Sequence, residues 1–302
     1  MSILIANFVE LEGSIQKLYD RFDKQQTKYL PMFFNEEMTD RNVDEHLGVG
    51  SIGEMEAWAG QVAYEDFDKG YKTTYRQGKF SKGIPVEEAL ILFKNFSEIK
   101  KRVNRLAISS AKTFNIKSAY YFNNAWNAAV NGGNGEGLSL ANASHRICPG
   151  DSAGAQSNTF ALEMNVDNIE TMRNAGKKFK DDKGHIMNIN LDTIVCGIDW
   201  EKTAKQICGS DKEPYVADNQ INIYKSELKY IINPYVDGKT WGMVNQQLMK
   251  GGDGLNWKWA RKPGSPEYVQ DFDTEVGKYK ITGWWSHGWD TWYWVAMSTG
   301  IE

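Results

Sequence analysis

Residues 283–300, GWWSHGWDTWYWVAMSTG, crowd five tryptophans, a tyrosine and a histidine into one stretch. No other feature limits the fold as strictly, because rings of this size must be covered, shown to a ligand or set in a membrane. A membrane anchor fails first, since no run approaches the roughly 20 apolar residues that a span needs. A sugar platform calls for a few rings on one face with polar neighbours. Here alternation puts Tyr279, Ile281, Gly283 and Trp285 on one side and Lys280, Thr282, Trp284 and Ser286 on the other. After a turn at SHGWD, Trp292, Trp294 and Ala296 share one face and Tyr293 and Val295 the opposite one. A strand apolar on both faces is covered on both. The expectation is a buried strand, with some rings left for a partner subunit to cover.

Composition supplies further exclusions. The 302 residues suit one large or two ordinary domains, and 41% hydrophobic with 25% charged residues is ordinary for a chain with a proper core. A net charge of −4 argues against gripping nucleic acid through phosphates as the main task. The start, MSILIANFVELEG, has neither the basic region nor the apolar stretch of a signal peptide, so use in a cytoplasm is expected. Cys148, Cys196 and Cys208 are odd in number and far apart, which fits a reducing compartment rather than a disulfide framework.

Candidate chemistry is thin. His145-x-x-Cys148 gives one tight pair where structural zinc wants two. GGNGEG lacks the Lys-Ser/Thr ending of a phosphate loop. Asp271 and Asp273, and the GGDG at 251–254, lack calcium-loop spacing. There is no Gly-x-Ser-x-Gly elbow. The sequence assigns no catalytic residue, no metal ligand and no cofactor, and an enzyme is not expected.

Along the chain, residues 3–24 carry a helical stripe of Ile5, Phe8, Ile15, Leu18 and Phe22, weakened by Gly13. Residues 25–53 read as irregular and extended. Residues 55–83 predict a long hairpin turning at DFDKG, with Tyr71, Thr73 and Tyr75 on one face and Lys72, Thr74 and Arg76 on the other. Such a hairpin is too polar to stand alone and its edges invite pairing. It either folds back on its own domain or lies across a neighbouring subunit.

Pro85 with Glu87 and Glu88 opens a helix. From Phe96 through Ile99, Val103, Leu106, Ser110 and Phe114 a second helix runs to about Trp126, or breaks in two near Asn115. Residues 131–158 are a glycine-rich loop, and NVDNIETMRNAGKKF is a helix with Ile169 and Met172 inward. HIMNINLDTIVCG reads as a strand, DWEKTAKQICG as a short helix capped by Asp199, and NQINIYKSELKYIINPYV as one long strand or two.

This order of parts, with MEAWAGQVAYEDFDKGYKTTYRQGKF, GLSLANASHRI and SNT, MNINLDTIVCGIDWEKTAKQI and ITGWWSHGWDTWYW, resembles the major capsid proteins of tailed bacteriophages, especially the Mu-like head subunit group. The resemblance runs from about residue 35 to the end. It implies an α+β phage capsid fold: an N-terminal arm at 1–53, an extended loop at 54–83 and a peripheral domain at 84–190 with its spine helix at about 95–126. An axial domain at 191–278 and a return strand at 279–302 complete it. The arm is either an embrace of adjacent subunits or a segment removed or reordered in maturation.

The implied partner is the chain itself, in pentamers and hexamers of an icosahedral shell around double-stranded DNA touched non-specifically. Scaffold, portal and decoration proteins are further implied partners, with no membrane, and assembly in the bacterial cytoplasm yields a virion. Tyr64, Phe67, Tyr71, Lys72, Tyr75 and Arg76 of the extended loop are the implied subunit-interface residues. Some members of the fold cross-link a loop lysine to a partner asparagine; Lys69 and Lys72 lie in that region, and no partner asparagine is identified. An encapsulin-like compartment and a monomeric carbohydrate-binding protein are the rival readings.

Overall fold

The computed structural model describes residues 2–58, 60–62, 64–212, 221–271 and 276–300, with the backbone alone at 2–10 and 270. Asp273 therefore lies outside the described residues. The chain begins with α1 (Ser2–Lys24), α2 (Leu30–Phe33), β1 (Asn35–Met38), β2 (Val43–Val49), β3 (Lys69–Arg76) and β4 (Gly78–Val86). The middle holds α3 (Glu88–Leu92), α4 (Phe96–Ser118), α5 (Tyr120–Asn123), β5 (Thr159–Phe160), α6 (Val166–Lys177), β6 (Thr193–Cys196) and α7 (Glu201–Gly209). Then follow β7 (Lys229–Ile232), β8 (Trp241–Val244), α8 (Gln246–Met249), β9 (Leu255–Arg261), β10 (Glu267–Gln270), β11 (Gly277–Trp289) and β12 (Val295–Ser298).

Two five-stranded sheets carry the fold. In the first, β9 and β10 follow one another along one edge of β11, β4 takes the other edge, and β1 joins β9 in parallel. In the second, the order is β5-β12-β8-β6-β7. The turn between β11 and β12 joins the sheets, so the aromatic stretch lies at the seam of the core.

Pairing explains the burial. The antiparallel register sets Trp285 opposite Trp259 and His287 opposite Trp257, and these rings meet Phe34 and Phe114 in one cluster. Further on, Trp292 stacks on His145 at 4.9 Å and meets Phe179 edge-on, while Trp294 is fully buried in the same core. Of the five tryptophans, only Trp284 is part-exposed, with Lys79 over its ring. The rings are therefore core, and no sugar platform is formed by them.

SHGWD is not the turn the sequence predicts. Strand β11 runs through it, with a register shift at Trp284/Trp285, and the turn falls after Trp289. Pairing with β9 satisfies the backbone of residues 285–289 and overrides the local turn signal. Gly288 serves a close approach instead: a Cβ there would stand 2.1 Å from the Gly132 carbonyl oxygen. Gly132 and Gly133 themselves hold positive φ, and the Gly133 carbonyl accepts from the Thr74 N–H at 2.9 Å. The glycine-rich loop is thus the filler between β3 and β11.

Other elements differ in extent. Helix α4 passes unbroken through Asn115, whose side chain binds the Tyr29 N–H and the Thr27 carbonyl, and it stops at Ser118 rather than Trp126. Asp199 sits in a 3-10 turn (Ile198–Trp200) and does not cap α7. Among the described residues, only Thr193–Cys196 of the HIMNINLDTIVCG segment and Lys229–Ile232 of the NQINIYKSELKYIINPYV segment are strand. Helix α6 forms as its pattern predicts, with Asn165 capping it and Ile169 and Met172 buried. A second, smaller core packs Ile15 and Tyr19 of α1 on Val103, Leu106 and Ala107 of α4 and on Tyr279 and Ile281 of β11. Among the described residues, no helix is long and apolar enough to cross a membrane.

Candidate subunit interface

The predicted hairpin at 55–83 does not form. Strand β3 pairs antiparallel with β2, β4 pairs with β11, and the described residues between 50 and 68 hold no strand. The turn signal at DFDKG loses because β3 finds its partner earlier in the chain: Asp44 faces Tyr75 and His46 faces Thr73. Strand β2 is inverted relative to an ordinary half-buried strand. Its apolar Val43, Leu47 and Val49 point outward while Asp44 and His46 turn inward.

Asp290 anchors this ribbon to the body. Its carboxylate accepts the Tyr75 hydroxyl at 2.5 Å and the Asn256 amide at 3.1 Å, and meets His46 Nδ1 at 2.8 Å. Burial first, and then the Asp290 charge, push the Tyr75 hydroxyl well above its ordinary range. A cavity beside the cluster is lined by His46, Thr73, Asn134, Glu136, Arg146 and Asp290. His145, one of the metal candidates, is buried with its ring on Glu136 Oε2 at 2.8 Å and the Leu140 carbonyl at 3.1 Å.

From Gly50 to Asp68 the chain makes an excursion whose ends meet, the Gly50 N–H donating to the Asp68 carbonyl at 2.8 Å. Lys183 holds the polar edge of this strap, reaching Glu65 and Asp68 at 3.0 Å each, and the Ser51 N–H donates to Asp182 Oδ1 at 2.8 Å. The Gly53 N–H and Lys183 together keep the Glu65 carboxyl below the usual carboxylate range. The apolar side is left bare. Met55 is 100% exposed, Tyr64 92% and Trp58 73%, and Ile52, Val62 and Phe67 are exposed as well. So large a set of uncovered apolar side chains marks an interaction surface.

The six residues expected at an interface divide. Tyr64, Phe67, Lys72 and Arg76 are exposed, Tyr71 is half-buried, and Lys72 pairs with Glu45 at 2.9 Å. Tyr75 is 1% exposed and committed to Asp290, so it supports the surface from beneath and does not belong to it. Sequence reasoning missed Leu47 and Val49 of β2, whose alternation in VDEHLGV was the available signal. It also missed the exposure of Leu92 and Phe93 at the end of α3 and of Phe96 at the start of α4, the last of which has the helical spacing of the core stripe.

Known structures share this architecture. A capsid of bacteriophage JBD30 decorated with minor capsid protein trimers aligns at a TM-score of 0.54 and 10% identity, over 70% of this chain and 91% of that one. Microbacterium phage Oxtober96 aligns at 0.53 and 12%, over 91% and 92%. A virus-like particle from Pyrococcus furiosus aligns at 0.55 and 6%, over 96% and 99%. At such identities the likeness is one of fold. No curated protein matches the sequence. The sequence itself matches the family model described as phage capsid protein over residues 70–298, and the chain belongs to that family.

Proposed function

We propose that copies of this capsid protein close into pentamers and hexamers of an icosahedral shell that encloses double-stranded phage DNA. The observation that carries the reading is the strap at 50–68, which holds its apolar side away from its own chain. Together with the outward apolar face of β2, it needs a cover that only another molecule supplies. Tyr64, Phe67, Tyr71, Lys72 and Arg76 are the contact residues of this reading. Residues 1–53 act as an arm and 84–190 as a peripheral domain. The division drawn at 278/279 falls inside β11, so 255–302, whose β9 and β11 share a sheet with β1 and β4, is better grouped with the peripheral part. Scaffold, portal and decoration proteins are further partners in this reading.

The net charge of −4 supports loose contact with the packaged genome. The fold shared with the Pyrococcus furiosus virus-like particle favours a second reading, a compartment that encloses protein cargo. Expression of the chain, electron microscopy of sedimenting material and nuclease digestion separate the two. Closed particles with nuclease-protected DNA in an infected or induced host support the genome shell. Particles that hold a co-purifying enzyme and no DNA support the compartment. Monomers at high concentration, in the presence of all phage proteins, overturn both.

A further inference from the structure

Charge is unevenly placed along this chain. Residues 94–117 hold seven lysines and arginines against the single carboxylate of Glu98. The segment is +6 in a chain whose total is −4, so the remainder carries −10. Helix α4 makes up nearly all of it and turns Lys101, Arg105 and Lys112 to one side, since steps of four and seven residues return to nearly the same face. All three are exposed and make no ion pair among the described residues. Glu98 does not neutralise them, because Arg102 holds it at 2.7 Å.

Strand β4 extends this basic surface. It carries Lys79 and Lys82, both exposed, and no carboxylate. The Arg102 guanidinium donates to the Pro85 carbonyl at 2.9 Å and so ties α4 against the strand. Between strand and helix runs a groove of about 300 Å³. Phe80 and Trp285, stacked at 4.0 Å, give it an apolar wall, and its lining includes Ser81, Lys82, Ser109 and Thr113. The hydroxyls of Ser81 and Ser109 make no hydrogen bond among the described residues. From Lys101 to Lys112 the helix rises about 16 Å, the axial length of about five phosphates on one DNA strand.

Resting on the reading that the shell encloses double-stranded DNA, we propose that the α4–β4 groove binds the phosphate backbone of that DNA, so that this face of the chain is turned toward the genome. Lys82, Arg105 and Lys112 neutralise phosphates, and the Ser81 and Ser109 hydroxyls donate to phosphate oxygens. Contacts of this kind hold a duplex without reading its sequence. The −10 on the rest of the chain repels the same polyanion. It thereby confines the contact to one strip and keeps it sensitive to salt. An acidic peptide is the other polyanion such a strip would attract. Unpaired cations repeated over about 16 Å match the regular charge of a duplex, one per about 1.7 Å of axis, more closely than the sparser carboxylates of a peptide.

A salt titration of the unassembled full-length chain with a short DNA duplex of mixed sequence tests the groove. Lys82→Gln, Arg105→Gln and Lys112→Gln together should weaken binding at least about tenfold at low salt. They should also flatten the slope of log K against log salt by about 3, at roughly 0.9 per lost phosphate contact. The melting temperature should stay in place, since all three side chains are exposed. The same loss of charge at exposed sites elsewhere, Lys177→Gln, Lys178→Gln and Lys202→Gln, should change neither affinity nor slope. Equal losses in the two triple variants overturn the groove as a DNA site, and so does tighter binding of polyglutamate of matched charge. A second readout acetylates lysines in DNA-filled particles and in particles emptied of their genome. Protection of Lys82, Lys101 and Lys112 in the filled particles alone supports the contact, and equal labelling overturns it. The two levels fail separately. If particles hold DNA and the two triple variants bind the duplex alike, only the groove falls. If particles of the unaltered chain hold no DNA in an infected or induced host, the genome-shell reading falls and takes the placement of this face with it.

Discussion

Strand β11 and the strap at 50–68 are both rich in large apolar side chains, and they end in opposite surroundings. Trp285 and Trp289 are at most 4% exposed, whereas Trp58 is 73% exposed. Side-chain chemistry does not separate them. What separates them is pairing: β11 has neighbours on both edges, and the strap has a bonded base and a clamp at Lys183 but, among the described residues, no strand beside it. A ring is buried when the backbone beneath it has a ladder to join, because only then does covering it leave no peptide group unsatisfied.

The contrast can be broken by measurement, starting with the core. Trp289→Ala should destabilise the unassembled chain by about 3–5 kcal/mol in a denaturant titration, as removal of a buried ring does. A loss under about 1 kcal/mol would mean that the seam between the sheets is looser than its packing indicates. Next, Asp290→Ala strips the acceptor from the Tyr75 hydroxyl and one of the acceptors from the Asn256 amide. It should cost about 1–3 kcal/mol, with amide exchange rising first in residues 70–76.

Acid comes third. Burial, aided by Lys117, holds His287 down to about 3, so this ring is neutral in the fold while the unfolded chain protonates it below its ordinary value of 6.5. Its contribution is therefore intact above 6.5 and is lost as pH falls toward 3. The slope within that window is about 1.4 kcal/mol per pH unit. Stability measured from pH 7 to 4 should show that slope, and His287→Gln should flatten it.

At the small end, Trp58→Ala should change the stability of the unassembled chain by under about 0.5 kcal/mol while reducing assembly. An equal loss in both would erase the distinction between the two regions. Lys183→Ala, at a half-buried site outside the core, should leave the unfolding midpoint in place and speed proteolysis within 54–66, because the strap then loses its clamp.

Much of this was legible in the sequence. The two-faced aromatic stretch gave a covered strand, the alternation in KTTYR put Tyr71, Thr73 and Tyr75 on one face without telling that Tyr75 is buried, and the stripe of α6 gave Ile169 and Met172 their place in the core. These are local patterns of period two or three to four. What local pattern cannot hold is the choice of partner. Strand β3 chose β2 over the segment across DFDKG, and β11 continued through SHGWD because β9 lay alongside. The same blindness hid the exposure of Phe96, which has the helical spacing of the buried Ile99 and Val103.

The first sheet joins β1 and β4, from the opening third of the chain, to β9, β10 and β11 near its far end. Strand β11 is the piece to which β4, β9 and β10 all bond, so a nascent chain stopped before residue 277 has nothing to hold them together. Contacts of such sequence separation close slowly and late. Shell construction is thereby restricted to finished polypeptides: a prematurely terminated copy lacks its keystone and is left for proteolysis instead of being built into a wall that one faulty tile would weaken.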